Sequence, residues 1–217
     1  MIDFAAARLA MVDCQVRPSD VTRYPIILAM LTVPRESFVP QAMRAVAYLG
    51  EHVPLAPQRV VLDPRVFAKM LDVIAIAADE LVLDVGCGLG YSSAVIAGMA
   101  EAVIALEEDA ALAEEARLAL AALGVDNAVL EIGALAEGVA VHGPYDAIVI
   151  EGAIEQLPAA LAEQLKIGGR IVAIFMQGAL GQARIGIRSE AGVAWRRAFD
   201  AAAPVLPGFA AAKAFEF

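Results

Sequence analysis

The chain has 217 residues, of which 60% are hydrophobic and 19% charged, and its formal net charge is −10. This length suits one compact domain, and this composition excludes a generally disordered chain. The acidic balance argues against a nucleic-acid partner, the uncharged stretches are too short for a bilayer span, and the N-terminus lacks the pattern of a secretory signal. We therefore expect a cytoplasmic protein without membrane or nucleic-acid partners, in which Cys14 and Cys87 are free thiols.

The first third of the chain, residues 1–77, is predicted to be helical and irregular. Ser19-Asp20 favours an N-cap for a helix over Val21–Leu31, in which Pro25 must lie in the first turn. Several prolines then interrupt a long connecting region, which leads to an amphipathic helix over Phe67–Ala77. We interpret this third as an N-terminal helical cap that carries the substrate region.

From residue 78 onwards, short apolar runs alternate with helical stretches. Buried strands are predicted over five runs: Leu81–Val85, Ala102–Leu106, Ala128–Ile132, Ala147–Ile150 and Arg170–Phe175. Helices are predicted between them: Ser92–Met99, Ala110–Leu123 and Pro158–Leu165. Two final runs, Ala183–Arg188 and Val193–Phe199, flank a short turn and predict an antiparallel hairpin at the sheet edge. The fold expected for residues 1–217 is one α/β domain, whose core (78–217) is a doubly wound, mostly parallel sheet.

A glycine loop follows the first predicted strand of this core. The strand ends in Gly86-Cys87-Gly88-Leu89-Gly90, and a helix begins at once. Glycines allow positive φ and let a ligand lie against bare backbone, while the helix start offers free N–H groups. The next strand ends at Glu107, where an acid suits the hydroxyls of a ribose. The pattern predicts a nucleoside cofactor.

The glycine spacing distinguishes between two classes of nucleoside cofactor. Dinucleotide enzymes prefer Gly-x-Gly-x-x-Gly, but the third position is Tyr91 when counted from Gly86 and Ser93 when counted from Gly88. The pattern of Asp84 before three alternate glycines instead resembles motif I of class I methyltransferases. That resemblance implies that S-adenosyl-L-methionine is the cofactor and that Asp84 helps to hold its amino-acid half.

Longer segments resemble the protein-L-isoaspartate O-methyltransferase family. They are Met11-Val12, Val33–Pro40, Ala47-Tyr48, Pro54-Leu55, Pro64, Val82–Tyr91, Tyr145–Ile150 and Gln164–Val172. The resemblance implies a seven-stranded, Rossmann-like class I methyltransferase sheet with an N-terminal substrate-binding addition. It also implies methylation of the side carboxylate of isoaspartyl protein.

Three departures from the family pattern bear on the site. Leu62 stands where the family has a functional serine, and Gly133-Ala134-Leu135 stands where it has an acid near the adenine. Glu151 follows the fourth strand of the core, where a small or hydroxyl residue is usual, and it either contacts the cofactor or substrate or caps the next helix. The cofactor-binding residues expected from the resemblance are Asp84, Gly86, Cys87, Gly88, Gly90, Glu107, Ala134, Leu135 and Glu151.

Catalytic groups are less clearly indicated. Arg59, within the altered segment, is the preferred candidate for holding an anionic substrate, with Arg35 and Arg65 as further candidates. His52 is a candidate general base, and neither histidine of the chain has metal-ligand spacing, so no metal is expected.

Three functions stay open from the sequence. The first is methylation of isoaspartyl protein, and the second is methylation of another carboxylate or small molecule by a divergent enzyme. The third is a non-catalytic protein that binds S-adenosyl-L-methionine or serves as a scaffold. The sequence does not indicate an oligomeric state.

Overall fold

The described part of the N-terminal region contains three α-helices, one π-helical segment, three 3₁₀ segments and a small hairpin. The structure is a computed structural model that describes residues 2–211, so residue 1 and residues 212–217 of the predicted single domain lie outside the described part. Within it, no helix is long and apolar enough to cross a bilayer. The elements in chain order are α1 (Phe4–Met11), α2 (Tyr24–Thr32), β1 (Val53–Ala56), β2 (Arg59–Val61) and α3 (Pro64–Ile74).

Two predicted helix boundaries in this region are wrong. Helix α2 begins at Tyr24 rather than Val21, because Asp20 adopts a left-handed conformation with φ 65° and Pro25 is tolerated only in the first helical turn. Helix α3 begins at Pro64 rather than Phe67. Its N-cap is Asp63, whose carboxylate accepts hydrogen bonds from the backbone N–H groups of Arg65 (2.7 Å) and Val66 (3.3 Å).

The hairpin of β1 and β2 lies in the stretch that was expected to be an irregular connection. The two strands are antiparallel, pairing Val53 with Val61 and Pro54 with Val60, and they form a sheet of their own. The prolines predict a break here, but Pro54 pairs with Val60, because a proline is compatible with the edge of so short a sheet. This hairpin supplies the side chains of Leu55 and Arg59 to the crevice of the main sheet.

The predicted doubly wound sheet is confirmed. Its elements are β3 (Leu81–Val85), α4 (Tyr91–Ala97), β4 (Ala102–Glu107), α5 (Ala110–Ala122), β5 (Ala128–Ile132), β6 (Tyr145–Ile154), α6 (Ala159–Glu163), β7 (Leu165–Gln177), β8 (Leu180–Ser189) and β9 (Gly192–Asp200). The strand order is β5-β4-β3-β6-β7-β8-β9, in which the first five strands are parallel and the last two add the predicted antiparallel hairpin. Apolar side chains cover both faces of the sheet, as expected for buried parallel strands.

The strand order places a crevice between β3 and β6. The chain runs outward from β3 through β4 to β5 and then returns to β6 on the other side of β3. Ligands of open α/β sheets bind at such a reversal, outside the carboxyl ends of the strands. Strand β6 continues past the end of β3, and its residue Ala153 exchanges backbone hydrogen bonds with Pro204 and Leu206 of the C-terminal segment.

Candidate functional site

The glycine loop lies at the carboxyl end of β3, where the sequence predicts it. Gly86, Gly88 and Gly90 have φ values of 82°, 57° and 91°, which L side chains rarely adopt. The N–H groups of Gly86 and Cys87 both donate to the carbonyl of Leu106, at 2.8 and 3.2 Å. The loop is therefore fixed against the end of β4.

Asp84 lies under this loop and connects β3 to α4. One of its carboxylate oxygens accepts hydrogen bonds from the hydroxyls of Ser92 (2.7 Å) and Ser93 (2.5 Å). The other oxygen, Oδ1, has no partner among the described residues. Burial raises the pKa of Asp84 to about 6, against the lowering effect of the two hydroxyls.

Glu107 is the best connected carboxylate of the site. Its Oε1 accepts hydrogen bonds from the backbone N–H groups of Glu108 (3.0 Å) and Asp109 (3.1 Å), and its Oε2 accepts one from Gly88 N–H (2.7 Å). The same Oε2 accepts a hydrogen bond from Arg59, so the two side chains form a buried ion pair. Burial raises the pKa of Glu107, whereas Arg59 and the backbone N–H groups oppose that rise.

Arg59 reaches the crevice from strand β2. Its side chain is 5% exposed, and its guanidinium nitrogens lie 3.4 Å from where a β-carbon on Gly86 would be. Its Nε and Nη1 have no hydrogen-bond partner among the described residues. The sequence indicated Arg59 as a ligand for an anionic substrate, but here its partner is the carboxylate predicted to hold a ribose.

Two leucines fill the rest of the crevice. A β-carbon on Gly88 would lie 2.5 Å from Cδ1 of Leu55, and one on Gly152 would lie 2.6 Å from Cγ of Leu206. Leu206 also approaches Gly86, with its Cδ1 3.3 Å from the β-carbon position there. The bare backbone of the glycine loop is thus covered by the protein's own side chains, which the sequence analysis did not foresee.

Glu151 lies inside strand β6 and does not cap a helix. Helix α6 begins eight residues later at Ala159, and its N-cap is Pro158, which has no side chain to donate or accept. Glu151 is 5% exposed, and its Oε1 has no hydrogen-bond partner among the described residues. Burial and the charge of Asp84 raise the pKa of Glu151, while Arg35 and Arg59 oppose that effect. The helix-capping interpretation is therefore wrong.

Leu62 and Arg35 are joined in the wall of the cap. Leu62 is 1% exposed, and its carbonyl accepts a hydrogen bond of 2.7 Å from Nη2 of Arg35. Arg35 is fully buried, donates to the carbonyl of Ala47 at 2.7 Å and lies over the ring of Tyr91. Arg35 is occupied in holding the cap together, so its position does not favour a role as an anion ligand.

The remaining candidates lie at the margins of the site. Both ring nitrogens of His52 contact backbone groups: Nδ1 accepts from Asp63 N–H, and Nε2 lies 2.8 Å from the carbonyl of Ala202. This pairing leaves no nitrogen for a general base in the observed position. Ala134 is exposed, whereas Leu135 is buried in the core.

Cys87 is buried beside the loop and, like Cys14, is a free thiol, as predicted. No group of His, Cys, Asp and Glu within residues 2–211 is suited to hold a metal ion.

The site also includes residues that sequence reasoning missed. Leu55 lies on the short strand β1 and Leu206 in the C-terminal segment, where periodicity carries no information about which crevice they fill. The signal available for Leu206 was weak: an apolar residue between Pro204 and Pro207 in the tail.

Comparison with families of known proteins gives a consistent result. Residues 10–186 match the model of the family described as Protein-L-isoaspartate(D-aspartate) O-methyltransferase. Protein-L-isoaspartate O-methyltransferase 1 of Rhodopseudomonas palustris is 39% identical over 169 residues, which cover 78% of this chain and 69% of that protein. The Syntrophus aciditrophicus protein-L-isoaspartate O-methyltransferase is 37% identical over 169 residues, or 78% of each chain.

Solved structures agree with the fold. One protein-L-isoaspartate O-methyltransferase superposes with a TM-score of 0.80 at 20% identity, covering 93% of this chain and 66% of that one. A protein-L-isoaspartate O-methyltransferase from Plasmodium falciparum, in complex with S-adenosyl-L-homocysteine, gives a TM-score of 0.77 at 18% identity, covering 95% and 99% of the two chains. At these identities the likeness concerns the architecture of the sheet and its N-terminal addition.

Proposed function

This chain belongs to the protein-L-isoaspartate O-methyltransferase family, and we propose that it transfers the methyl group of S-adenosyl-L-methionine to the side carboxylate of isoaspartyl residues in damaged protein. Members of this family are S-adenosyl-L-methionine-dependent methyltransferases. The observation that carries the proposal is the link between Glu107, at the end of β4, and the N–H of Gly88 in the glycine loop. This link gives the crevice both a backbone cradle and an adjacent carboxylate.

The chemistry of these residues fits the cofactor, although the space is taken by other side chains. The positive-φ glycines offer bare backbone, Glu107 would hold the ribose hydroxyls, and Asp84 and Glu151 each have a buried oxygen without a partner among the described residues. Such oxygens suit the ammonium and the sulfonium of the cofactor. Gly133, Ala134 and Leu135 carry no polar side chain, so we propose that their backbone recognises the adenine.

The main task of the protein in this reaction is to align the acceptor carboxylate with the methyl group. When bound, S-adenosyl-L-methionine supplies an electrophilic methyl group on a sulfonium. A carboxylate is a nucleophile at neutral pH without a general base, so the protein has to orient it and exclude water. This agrees with the engagement of both His52 nitrogens in backbone contacts.

We place the acceptor on the side of residues 1–77. A polar cavity of about 330 Å³ lies there, lined by Cys14, Gln15, Pro18, Ser19, Gly50, Asp63 and Arg65. Arg65 is exposed and is suited to attract an anionic peptide.

The free thiols fit a reducing cytoplasm, and the net charge of −10 disfavours nucleic acid and anionic membranes as partners.

The test is methyl transfer from labelled S-adenosyl-L-methionine to an isoaspartyl peptide, with the matching aspartyl peptide as the control. We expect label in the isoaspartyl peptide alone. The label should be lost in base, because a methyl ester then releases methanol. Absence of label would contradict the repair activity. Label in both peptides would contradict the proposed selectivity.

Leu62 favours a second candidate, methylation of a different carboxylate. Leucine neither donates nor accepts a hydrogen bond, so the wall that it forms is apolar where the family has a hydroxyl. A panel of small carboxylates and of peptides with free C-termini tests this candidate under the same conditions. Turnover restricted to isoaspartyl peptides would exclude it.

A further inference from the structure

We propose that Arg59 is an internal competitor of the cofactor: the hairpin of β1 and β2 inserts it into the crevice, and S-adenosyl-L-methionine binds only when this hairpin has moved. The inference rests on the proposed function, because it concerns the same site. It adds a second position of the hairpin, and the free energy needed to reach that position lowers the affinity for the cofactor.

The hydrogen bonds of Glu107 provide the first argument. Its two oxygens accept four hydrogen bonds, from Gly88, Glu108, Asp109 and Arg59. Three of these donors are backbone N–H groups, one in the glycine loop and two in the residues just before α5, so they belong to the sheet and its loops and not to the hairpin. A ribose hydroxyl can therefore reach this carboxylate fully only if Arg59 leaves it.

The position of the hairpin provides the second argument. Leu55 on β1 and Arg59 on β2 cover Gly88 and Gly86, the two glycines whose missing β-carbons expose the loop backbone. Both side chains come from the same hairpin, so one movement of this element removes them together, while Leu206, which also approaches Gly86, belongs to the C-terminal segment. The hairpin is a separate two-stranded sheet, and sheets of this size are only marginally stable by themselves.

The balance of charge provides the third argument. The pKa values of Asp84, Glu107 and Glu151 are all raised by burial, and the charge of Arg59 acts against that rise at each of them. S-adenosyl-L-methionine carries a sulfonium, an ammonium and a carboxylate, and thus one net positive charge. Exchange of Arg59 for the cofactor replaces one cation by another among these carboxylates, which avoids leaving them uncompensated.

The contacts of the hairpin indicate where it would hinge. His52, immediately before β1, bridges Asp63 and Ala202 through its two ring nitrogens, and the carbonyl of Leu62, immediately after β2, is held by Arg35. Both ends of the hairpin are thus fixed to the body of the protein. Val53 and Val61 at these ends are buried in the core, so the residues between them, which include Leu55 and Arg59, would move, and the Arg59–Glu107 ion pair is one contact that is broken.

The experiment measures cofactor affinity by calorimetry on the full chain. Arg59→Gln removes the charge and leaves a shorter polar side chain, and Arg59→Lys keeps the charge. Arg117→Gln is the matched control, because Arg117 is an exposed arginine of α5 whose ion pair is with Glu114. We expect Arg59→Gln to bind S-adenosyl-L-methionine about tenfold more tightly than the unmodified chain, because a competing state has been removed. Arg59→Lys and Arg117→Gln should stay within about twofold.

Hydrogen exchange provides a second readout that needs no variant. Adding S-adenosyl-L-methionine to the unmodified chain should speed amide exchange in residues 53–61 while slowing it in residues 86–90. Equal affinities for the unmodified chain and Arg59→Gln, or slower exchange in the hairpin, would overturn the competition while leaving the proposed function intact. Failure of all variants to bind the cofactor at millimolar concentration would instead overturn the proposed function and this inference with it.

Discussion

The hydroxyl of Ser93 donates a hydrogen bond of 2.5 Å to the carboxylate of Asp84, and both residues are fully buried. This contact joins the end of β3 to the first turn of α4 below the glycine loop. It also stabilises a charge that has little access to water. The free energy of unfolding should therefore depend on whether Asp84 is ionised.

We predict that Asp84 makes the folded state less stable as the pH rises. Its pKa is about 6 in the folded chain and near the ordinary aspartate value of 3.8 in the unfolded chain. Between these values the folded chain keeps a proton that the unfolded chain has lost, so the contribution is absent below about pH 4 and complete above about pH 6. When complete, this contribution lowers the free energy of unfolding by about 3 kcal/mol.

Denaturant unfolding of the unmodified chain and of Asp84→Asn, measured from pH 4 to pH 7, tests this prediction. Glu80 and Asp146, whose pKa values are lowered by their ion pairs with Arg170 and Lys166, act in the opposite direction in both proteins. The difference between the two stability curves reports the titration of Asp84 together with its effect on the neighbouring Glu151. We expect Asp84→Asn to gain stability over the unmodified chain as the pH rises, and a constant difference would contradict the assignment.

A second prediction concerns Arg35, whose guanidinium holds the carbonyls of Ala47 and Leu62. Replacement by methionine keeps much of the volume but leaves both carbonyls without their charged donor. We expect Arg35→Met to lower the free energy of unfolding by about 3 to 5 kcal/mol. Arg44→Met is the control, since Arg44 is exposed, and it should change stability by less than about 0.5 kcal/mol. Equal effects of the two substitutions would contradict the stabilising role of the Arg35 hydrogen bonds to Ala47 and Leu62.

The sheet could be predicted because its signal is local. The mainly apolar runs Leu81–Val85 and Ala128–Ile132 coincide with β3 and β5 residue for residue, although β5, at the sheet edge, is not buried as predicted. The hairpin at residues 53–61 could not be predicted in the same way. Its few paired residues lie among prolines, and its pairing depends on the surrounding protein rather than on a pattern within the segment.

The residues at the strand ends of the site could be predicted, but the side chains that fill the crevice could not. Asp84, the three glycines and Glu107 follow from strand ends, which sequence patterns locate well. Arg59 was identified as functional, but its partner was not, because an ion pair between residues 48 positions apart has no sequence signature. An arginine is usually exposed, and only the fold shows that this one is buried against a carboxylate.

A third prediction concerns the response of Glu151 to a cation. Its pKa is raised by burial and by Asp84, so the arrival of a sulfonium and an ammonium should lower that pKa and release a proton. The heat of S-adenosyl-L-methionine binding should therefore depend on the ionisation enthalpy of the buffer. S-adenosyl-L-homocysteine, which lacks the sulfonium charge, should show a smaller dependence.

The corresponding variant is Glu151→Gln, which should bind S-adenosyl-L-methionine about tenfold more weakly and lose the buffer dependence, because the carboxylate no longer attracts the cation. Its affinity for S-adenosyl-L-homocysteine should change by less than about threefold. Glu163→Gln, at an exposed residue of α6, is the control for a general change of charge. A parallel loss of affinity for both ligands would place Glu151 away from the sulfonium.

The last prediction uses Leu62→Ser, which introduces a hydroxyl at the residue before the cap of α3. Because Leu62 is 1% exposed, we expect the substitution to cost about 2 to 5 kcal/mol of stability through the lost apolar contacts and the space left behind. If the wall at Leu62 faces the acceptor, the same change should raise kcat/KM for isoaspartyl peptide by about tenfold, since a polar group now meets its carboxylate.

Leu62→Ala separates the two effects, because it opens a similar space without a hydroxyl. It should lose stability to a similar degree and gain no activity on the isoaspartyl peptide. The Arg35 bond to the backbone carbonyl at this position is retained in both variants, so the cap stays attached. A similar gain in both variants would mean that space rather than polarity limits the acceptor, and a gain in neither would place the acceptor elsewhere in the crevice.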